Sequence, residues 1–195
     1  MERANEYRQR LLEAIASCVA HKGYPDTTIS DIAAKAKVSK RTFYEHFNSK
    51  SECLIALYET GSHNALSVLK QSLDPNHDWH TQVEKALRAY FQCLAQNPVL
   101  MRTLFIEMLG LGTEGLAARR RTNSDLANCV LQMANGEFAQ HQTPQRRLSE
   151  PLAIALVGGL NEWVLQAIED DRLDRLEELV QPAAQLVRAV IDGHP

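Results

Sequence analysis

Residues 27–50 read TTISDIAAKAKVSKRTFYEHFNSK, and the spacing of hydroxyl, acidic and apolar side chains in this stretch decides the fold. Thr28 stands three residues ahead of Asp31, so its hydroxyl can accept from the Asp31 backbone N–H while the carboxylate reaches back. That capping box opens a short helix to Ala36. A tight link, Lys37-Val38-Ser39, follows, and Ser39 caps a second helix, Lys40 to His46, with room for only two turns. Helices this short are marginal alone, so apolar contacts must hold them. Ile32, Ala33, Ala36, Val38 and Phe43 are spaced to pack the pair on a preceding helix, the pattern of a helix-turn-helix.

Working outward, Leu11, Leu12, Ile15, Ala16 and Val19 form the stripe of a first helix over 5–22, stopped by Gly23 and Pro25. Ser49-Lys50-Ser51-Glu52 is a second capping box, opening a long fourth helix through Leu54, Leu57, Tyr58, Ala65 and Leu69. After the connector DPNHD, a fifth helix carries Val83, Leu87, Tyr90, Phe91 and Leu94, broken at Asn97-Pro98. A sixth, 98–109, is apolar on most sides and is expected to be surrounded by others. Glycines 110, 112 and 115 form a hinge into a seventh helix, 114–140, whose run Arg119-Arg120-Arg121 reads as a solvated face. An eighth starts at Ser149 with Pro151 in its first turn and runs to Asp170. The ninth covers 173–192, where Pro182 either kinks the helix or marks its true start. No window shows strand alternation. The expectation is an all-α chain of about nine helices: a three-helix helix-turn-helix domain at 1–48 and a helical bundle at 49–195.

Composition narrows the function. The chain has 195 residues, 45% hydrophobic and 23% charged, with a net charge of −3, which excludes disorder and a fibrous repeat. Residues 1–52 carry nine Lys/Arg against seven Asp/Glu, a balance of +2, and the remainder is −5. A basic module on an acidic body docks on a polyanion in one orientation. The N-terminus has no apolar stretch resembling a secretion signal, and no apolar run is read as approaching the roughly 18–20 residues of a membrane span. A cytoplasmic protein without membrane contact is expected. Cys18, Cys53, Cys93 and Cys129 are too far apart for a metal or redox pair and read as buried thiols. His77 and His80 near Asp78 read as a polar loop, since no third ligand is fixed by spacing. No nucleophile elbow, phosphate loop or dinucleotide fingerprint occurs, so neither an enzyme, a cofactor nor a metal is expected.

The second short helix has the chemistry of a groove reader. It exposes cations, a hydroxyl and aromatic tips while burying Phe43. Free backbone N–H groups at Thr28 and at Ser39-Lys40 suit a phosphate. Arg41 can fork to a guanine edge or a phosphate, Thr42 and Tyr44 can meet base edges and thymine methyls, and Lys50 can pair with the backbone. Lys37 and His46 complete the candidate DNA-facing set.

The stretch Thr27–Lys50 strongly resembles the DNA-binding region of the tetracycline-repressor family of bacterial regulators, and the clear likeness covers residues 5–60. The remainder is similar in helix count and in Gly158-Gly159-Leu160-Asn161-Glu162-Trp163. One departure is Lys37, where the family usually has glycine. A lysine in the left-handed region costs about 1 kcal/mol, so either the turn is altered there or Lys37 adds a phosphate contact. The resemblance implies a homodimer built on the last two helices and a middle-helix cavity where a small molecule binds and loosens DNA.

The residues support the dimer independently. A two-turn helix reads only three or four base pairs, so useful specificity needs a second copy on a palindromic operator in double-stranded DNA. Leu156, Gly159, Leu160, Leu186 and Val190 are the candidate self-association residues, with Gly158 and Gly159 allowing close approach. For the small-molecule effector, Tyr90, Phe91, Met101, Phe105, Met108 and Trp163 are candidate cavity residues, with Glu107, Asn161 or His63 as polar anchors; each reads equally well as core. Two classes of function remain: a ligand-responsive repressor released from its operator by an inducer, and a DNA-binding dimer with no effector, architectural or partner-controlled.

Overall fold

The computed structural model describes residues 2–74, 76–135 and 148–192. The described residues are all-α: α1 (Glu2–Lys22), α2 (Ile29–Lys35), α3 (Lys40–His46), α4 (Lys50–Gln71), α5 (Trp79–Ala95), α6 (Pro98–Gly110), α7 (Gly112–Asn135), α8 (Glu150–Glu169) and α9 (Val180–Asp192), with a 3-10 segment, Leu173–Leu179, before α9. They divide into two compact units: residues 1–61 with 99–119, and residues 62–98 with 120–195. The divisions fall inside α4, after Gly61, at the first residue of α6, after Pro98, and inside α7, after Arg119.

The first unit is organised by its caps. Thr28 accepts from the Asp31 N–H and the Asp31 carboxylate accepts from the Thr28 N–H, so the capping box forms in full. Ser39 accepts from the Thr42 N–H and holds the start of α3. At α4, Ser49 accepts from Glu52 N–H, but the Glu52 carboxylate reaches one residue further back, to the Asn48 N–H at 2.6 Å. These bonds satisfy helix-end donors that have no partner within the helix. Leu11, Leu12, Ile15, Ile32, Phe43 and Leu54 are fully buried and close the core, joined by Leu104 and Met108 of α6.

Lys37 has φ 55°, so the turn keeps its left-handed residue although that residue carries a side chain. Arg10 of α1 holds the turn: its guanidinium donates to the carbonyl of Ala36 and, at 3.2 Å, to that of Lys37.

Three expectations change. α6 buries Leu104, Phe105 and Met108, but Val99, Ile106 and Leu109 stay exposed within the chain, so α6 is not surrounded. Its apolar residues exceed what one packed face can cover. α7 begins at Gly112, with φ 62°, and a Cβ on Gly115 would lie 2.1 Å from the Met108 carbonyl, so the α6–α7 corner depends on these two glycines; the end of the expected seventh helix, 136–140, lies outside the described residues. The expected ninth helix is split. Non-helical φ/ψ at Arg175 interrupt its first part, and Pro182 sits in the first turn of α9, where its missing N–H costs nothing.

In the second unit α5 packs chiefly on α9 and the 3-10 segment. Arg88 pairs with Glu177, and Arg188 with Glu84 at 2.5 Å, fixing these elements along one side of α5. Contrary to the expectation from sequence, α8 is long and apolar enough to cross a bilayer by length and composition, with Asn161 and Glu162 interrupting its apolar run. Ala153, Leu156, Val157, Leu160 and Val164 are nonetheless buried in this unit.

Candidate DNA interface and cavity

α3 begins with a serine-capped turn in which the Ser39 hydroxyl takes the Thr42 N–H, and Ser39 and Lys40 are exposed there. The Arg41 side chain is 90% exposed and pairs with Glu45 at 3.3 Å. Tyr44 is 55% exposed, yet its ring is held edge-on against Phe43, with centroids 5.6 Å apart. Phe43 itself is fully buried and stacks at a tilt on Phe47. Burying one aromatic while presenting its neighbour fixes the rotation of α3, because a helix turned by one residue would exchange them.

The structure places the other candidates as follows. Thr28 and Lys37 are exposed; Thr42 and His46 are half-buried. The Thr42 hydroxyl lies 3.0 Å from that of Ser39. Lys50 is engaged inside the unit: its ammonium donates to the Tyr24 carbonyl at 2.7 Å and lies 4.1 Å from the centre of the Tyr24 ring. Burial holds its pKa below the usual lysine value. Asp31 is held well below the usual carboxylate range, first by the Lys22 ammonium at 2.6 Å and then by the Thr28 hydroxyl and N–H.

The second unit contains a partly open cavity of about 60 Å³. Trp79, Val83, Ala86, Leu87 and Tyr90 of α5 form one wall. Leu156, Val157, Leu160 and Asn161 of α8 form another, and Leu69, Leu126, Val130, Met133, Val187 and Ile191 complete it. Of the candidates read from sequence, Tyr90 and Asn161 reach this wall. Phe91 is buried without lining it, Trp163 is half-buried off it, and Phe105 and Met108 are buried in the first unit, Met108 within its core cluster. Met101, Glu107 and His63 do not line it either. Leu156 and Leu160, read as dimer residues, turn into the cavity, while Gly159, Leu186 and Val190 are half-buried. A Cβ on Gly159 would meet Leu186 of the same chain at 3.8 Å. The outward apolar positions of α8 are Ile154 and Ala155, beside exposed Gly158. The other lining residues were not among the sequence-based cavity candidates; Trp79, at the first position of α5, had one signal, an aromatic directly after a capping Asp78.

Asp78 caps α5 by accepting from the Thr81 N–H, and His77 lies 2.5 Å from the Lys85 ammonium nitrogen. Among the described residues no group of three or more His, Cys, Asp or Glu is placed to hold a metal. Burial raises all four thiols, that of Cys53 up to about 12.

The family model for bacterial regulatory proteins of the tetR family matches residues 11–57. The HTH-type transcriptional activator FasR of Mycolicibacterium smegmatis is 30% identical over 101 residues, 52% of this chain and 46% of that protein. The uncharacterized HTH-type transcriptional regulator TtgW of Pseudomonas putida is 34% identical over 86 residues, 44% of this chain and 64% of that protein. The chain thus spans less than two thirds of either relative. Among solved structures, the fatty acid degradation regulator FadR from Bacillus halodurans shares the fold, with a TM-score of 0.71 at 20% identity over 92% of this chain and 93% of that one.

Proposed function

Since the chain belongs to the tetR family of bacterial regulatory proteins, we propose that it is a cytoplasmic transcriptional regulator that binds a palindromic DNA operator as a homodimer and is released by a small molecule. The observation that carries this reading is α3: a capped helix with Arg41 and Tyr44 presented to solvent and locked in rotation by fully buried Phe43. Ser39 and Lys40 offer a helix start and polar side chains to phosphate, Arg41, Thr42 and Tyr44 face base edges, and Lys37 and His46 flank them; the Thr28 N–H, read as free from sequence, is taken by the Asp31 carboxylate, so Thr28 serves the cap of α2. Lys50 contributes by holding the Tyr24 carbonyl, and so the loop before α2, rather than by touching DNA.

Two copies of a two-turn reader give the specificity that one lacks. The outward face of α8 around Ile154, Ala155 and Gly158, with Leu186 and Val190 of α9, supplies the contact between subunits. In this reading residues 1–48 read DNA and residues 49–195 respond. α4 is the proposed link, since it opens with Lys50 and supplies Leu69 to the cavity wall. A ligand that needs a wider cavity shifts α4 only by its differential affinity for the two arrangements. The cavity favours this reading over a regulator without an effector. FasR is named an activator, and the sign of the outcome follows from where an operator lies relative to its promoter.

Sedimentation velocity at micromolar concentration, with selection of duplexes from a random pool, tests the proposal. The expected result is a dimer that enriches a palindrome and loses it to added salt. A monomer, or no preference over scrambled competitor, would overturn it.

A further inference from the structure

We infer that the cavity of the second unit takes an uncharged, predominantly hydrocarbon ligand and discriminates against carboxylates and ammonium ions. The inference rests on reading this cavity as the effector site. Among the described residues its wall presents no polar atom. Twelve of the fifteen lining residues are purely aliphatic or Met, and the other three, Trp79, Tyr90 and Asn161, carry no charge at neutral pH. The Asn161 amide is already committed, donating to the Asn123 side-chain oxygen at 2.9 Å. The Trp79 indole nitrogen is buried and unpartnered, and it is not open to the cavity.

Size and polarity decide together. The cavity, about 60 Å³, exceeds the roughly 10–15 Å³ that one water needs, but water also needs polar partners, which this wall lacks. Such a space favours hydrocarbon. An ion entering it would lose its hydration and receive nothing in return, so an acid or amine binds there only in its neutral form. Three charges that flank lining residues are paired within the unit, with the Arg188 Nε buried and unpartnered among the described residues. Arg188, next to Val187, donates to Glu84 at 2.5 Å and to the His80 carbonyl at 3.2 Å, and Glu84, next to Val83, is matched by that same guanidinium. Arg88, next to Leu87, is paired with Glu177.

A matched trio of six-carbon probes, hexan-1-ol, hexanoate and hexylammonium, tests the inference on the full chain. The two tryptophans are Trp79 and Trp163; Trp163→Phe leaves Trp79, in the cavity wall, as the sole fluorescence reporter. Hexanol should give a saturable change in emission, independent of pH between 7.5 and 6.0. Hexanoate should bind at least about a hundredfold more weakly at pH 7.5 and tighten about thirtyfold at pH 6.0, following its neutral fraction for a carboxyl pKa of ~4.3. Ala86→Phe should abolish the hexanol response; should that variant not fold, the wild-type trio still decides. Hexanoate or hexylammonium binding within a few-fold of hexanol at pH 7.5 would overturn the inference. Absence of binding by all three would overturn both it and the effector site. Hexanol binding with unchanged operator affinity would support the ligand class and refute the effector role.

Discussion

Replacing Arg41 by alanine separates reading DNA from folding. The side chain is 90% exposed and its one ion-pair partner among the described residues is Glu45, four residues on, at 3.3 Å. Such a helical surface pair contributes about 0.3–0.5 kcal/mol, and alanine's higher helix propensity offsets part of that. Arg41→Ala should therefore leave stability within about 0.5 kcal/mol of the parent. Its effect on DNA should be much larger. A guanidinium on a base edge or phosphate contributes about 1–3 kcal/mol, which at ~1.4 kcal/mol per tenfold is roughly a 5- to 150-fold loss of operator affinity. Fluorescence anisotropy on the selected palindrome, repeated from 50 to 200 mM salt and paired with thermal unfolding, measures both. A phosphate contact lowers the salt slope by about one; a base contact leaves the slope and relaxes preference at one position. Glu45→Gln is the reverse arm, since freeing Arg41 and removing a negative charge should tighten binding. If Arg41→Ala held operator affinity within twofold while remaining folded, the assignment of α3 as the reader would be refuted.

Lys37→Gly should stabilise the chain by up to about 1 kcal/mol, because φ 55° strains any residue with a Cβ; a lower urea midpoint for the variant would contradict this. Asp31 is depressed below its unfolded value, so its stabilising contribution is present above about pH 4 and is lost as pH falls through the folded value. The gap in urea midpoint between the parent and Asp31→Asn should accordingly narrow between pH 6 and pH 3, and a gap that widened on acidification would have the wrong sign. The Cys53 thiol, buried and pushed up to about 12, should resist iodoacetamide at pH 8 in native protein and react after denaturation, as peptide mapping would reveal; rapid native labelling would argue against its burial.

The caps at Thr28, Ser39 and Ser49 were legible because they are bonds between residues three apart, a spacing that local order alone determines. The burial of Phe43 beside exposed Tyr44 was legible for the same reason, from helical period. The cavity was not. Val83 and Leu87 line it while Phe91 and Leu94, on the same stripe, fill the core, and periodicity cannot distinguish an apolar residue facing space from one facing a neighbour. The bond from Lys50 was not legible because its partner is a main-chain carbonyl 26 residues away, which no side-chain pattern records. The open side of α6 was missed because an apolar count says how much surface seeks cover, not how much the chain supplies.

The grip of Arg10 on the helix-turn-helix corner has an evolutionary consequence. Its acceptors are the carbonyl oxygens of Ala36 and Lys37, atoms that every amino acid possesses. Substitutions at the corner leave the fastening intact, so neighbouring side chains are free to diverge. Lineages carrying this arginine could retune which sequence they recognise through successive point changes, none of which has to rebuild the scaffold first.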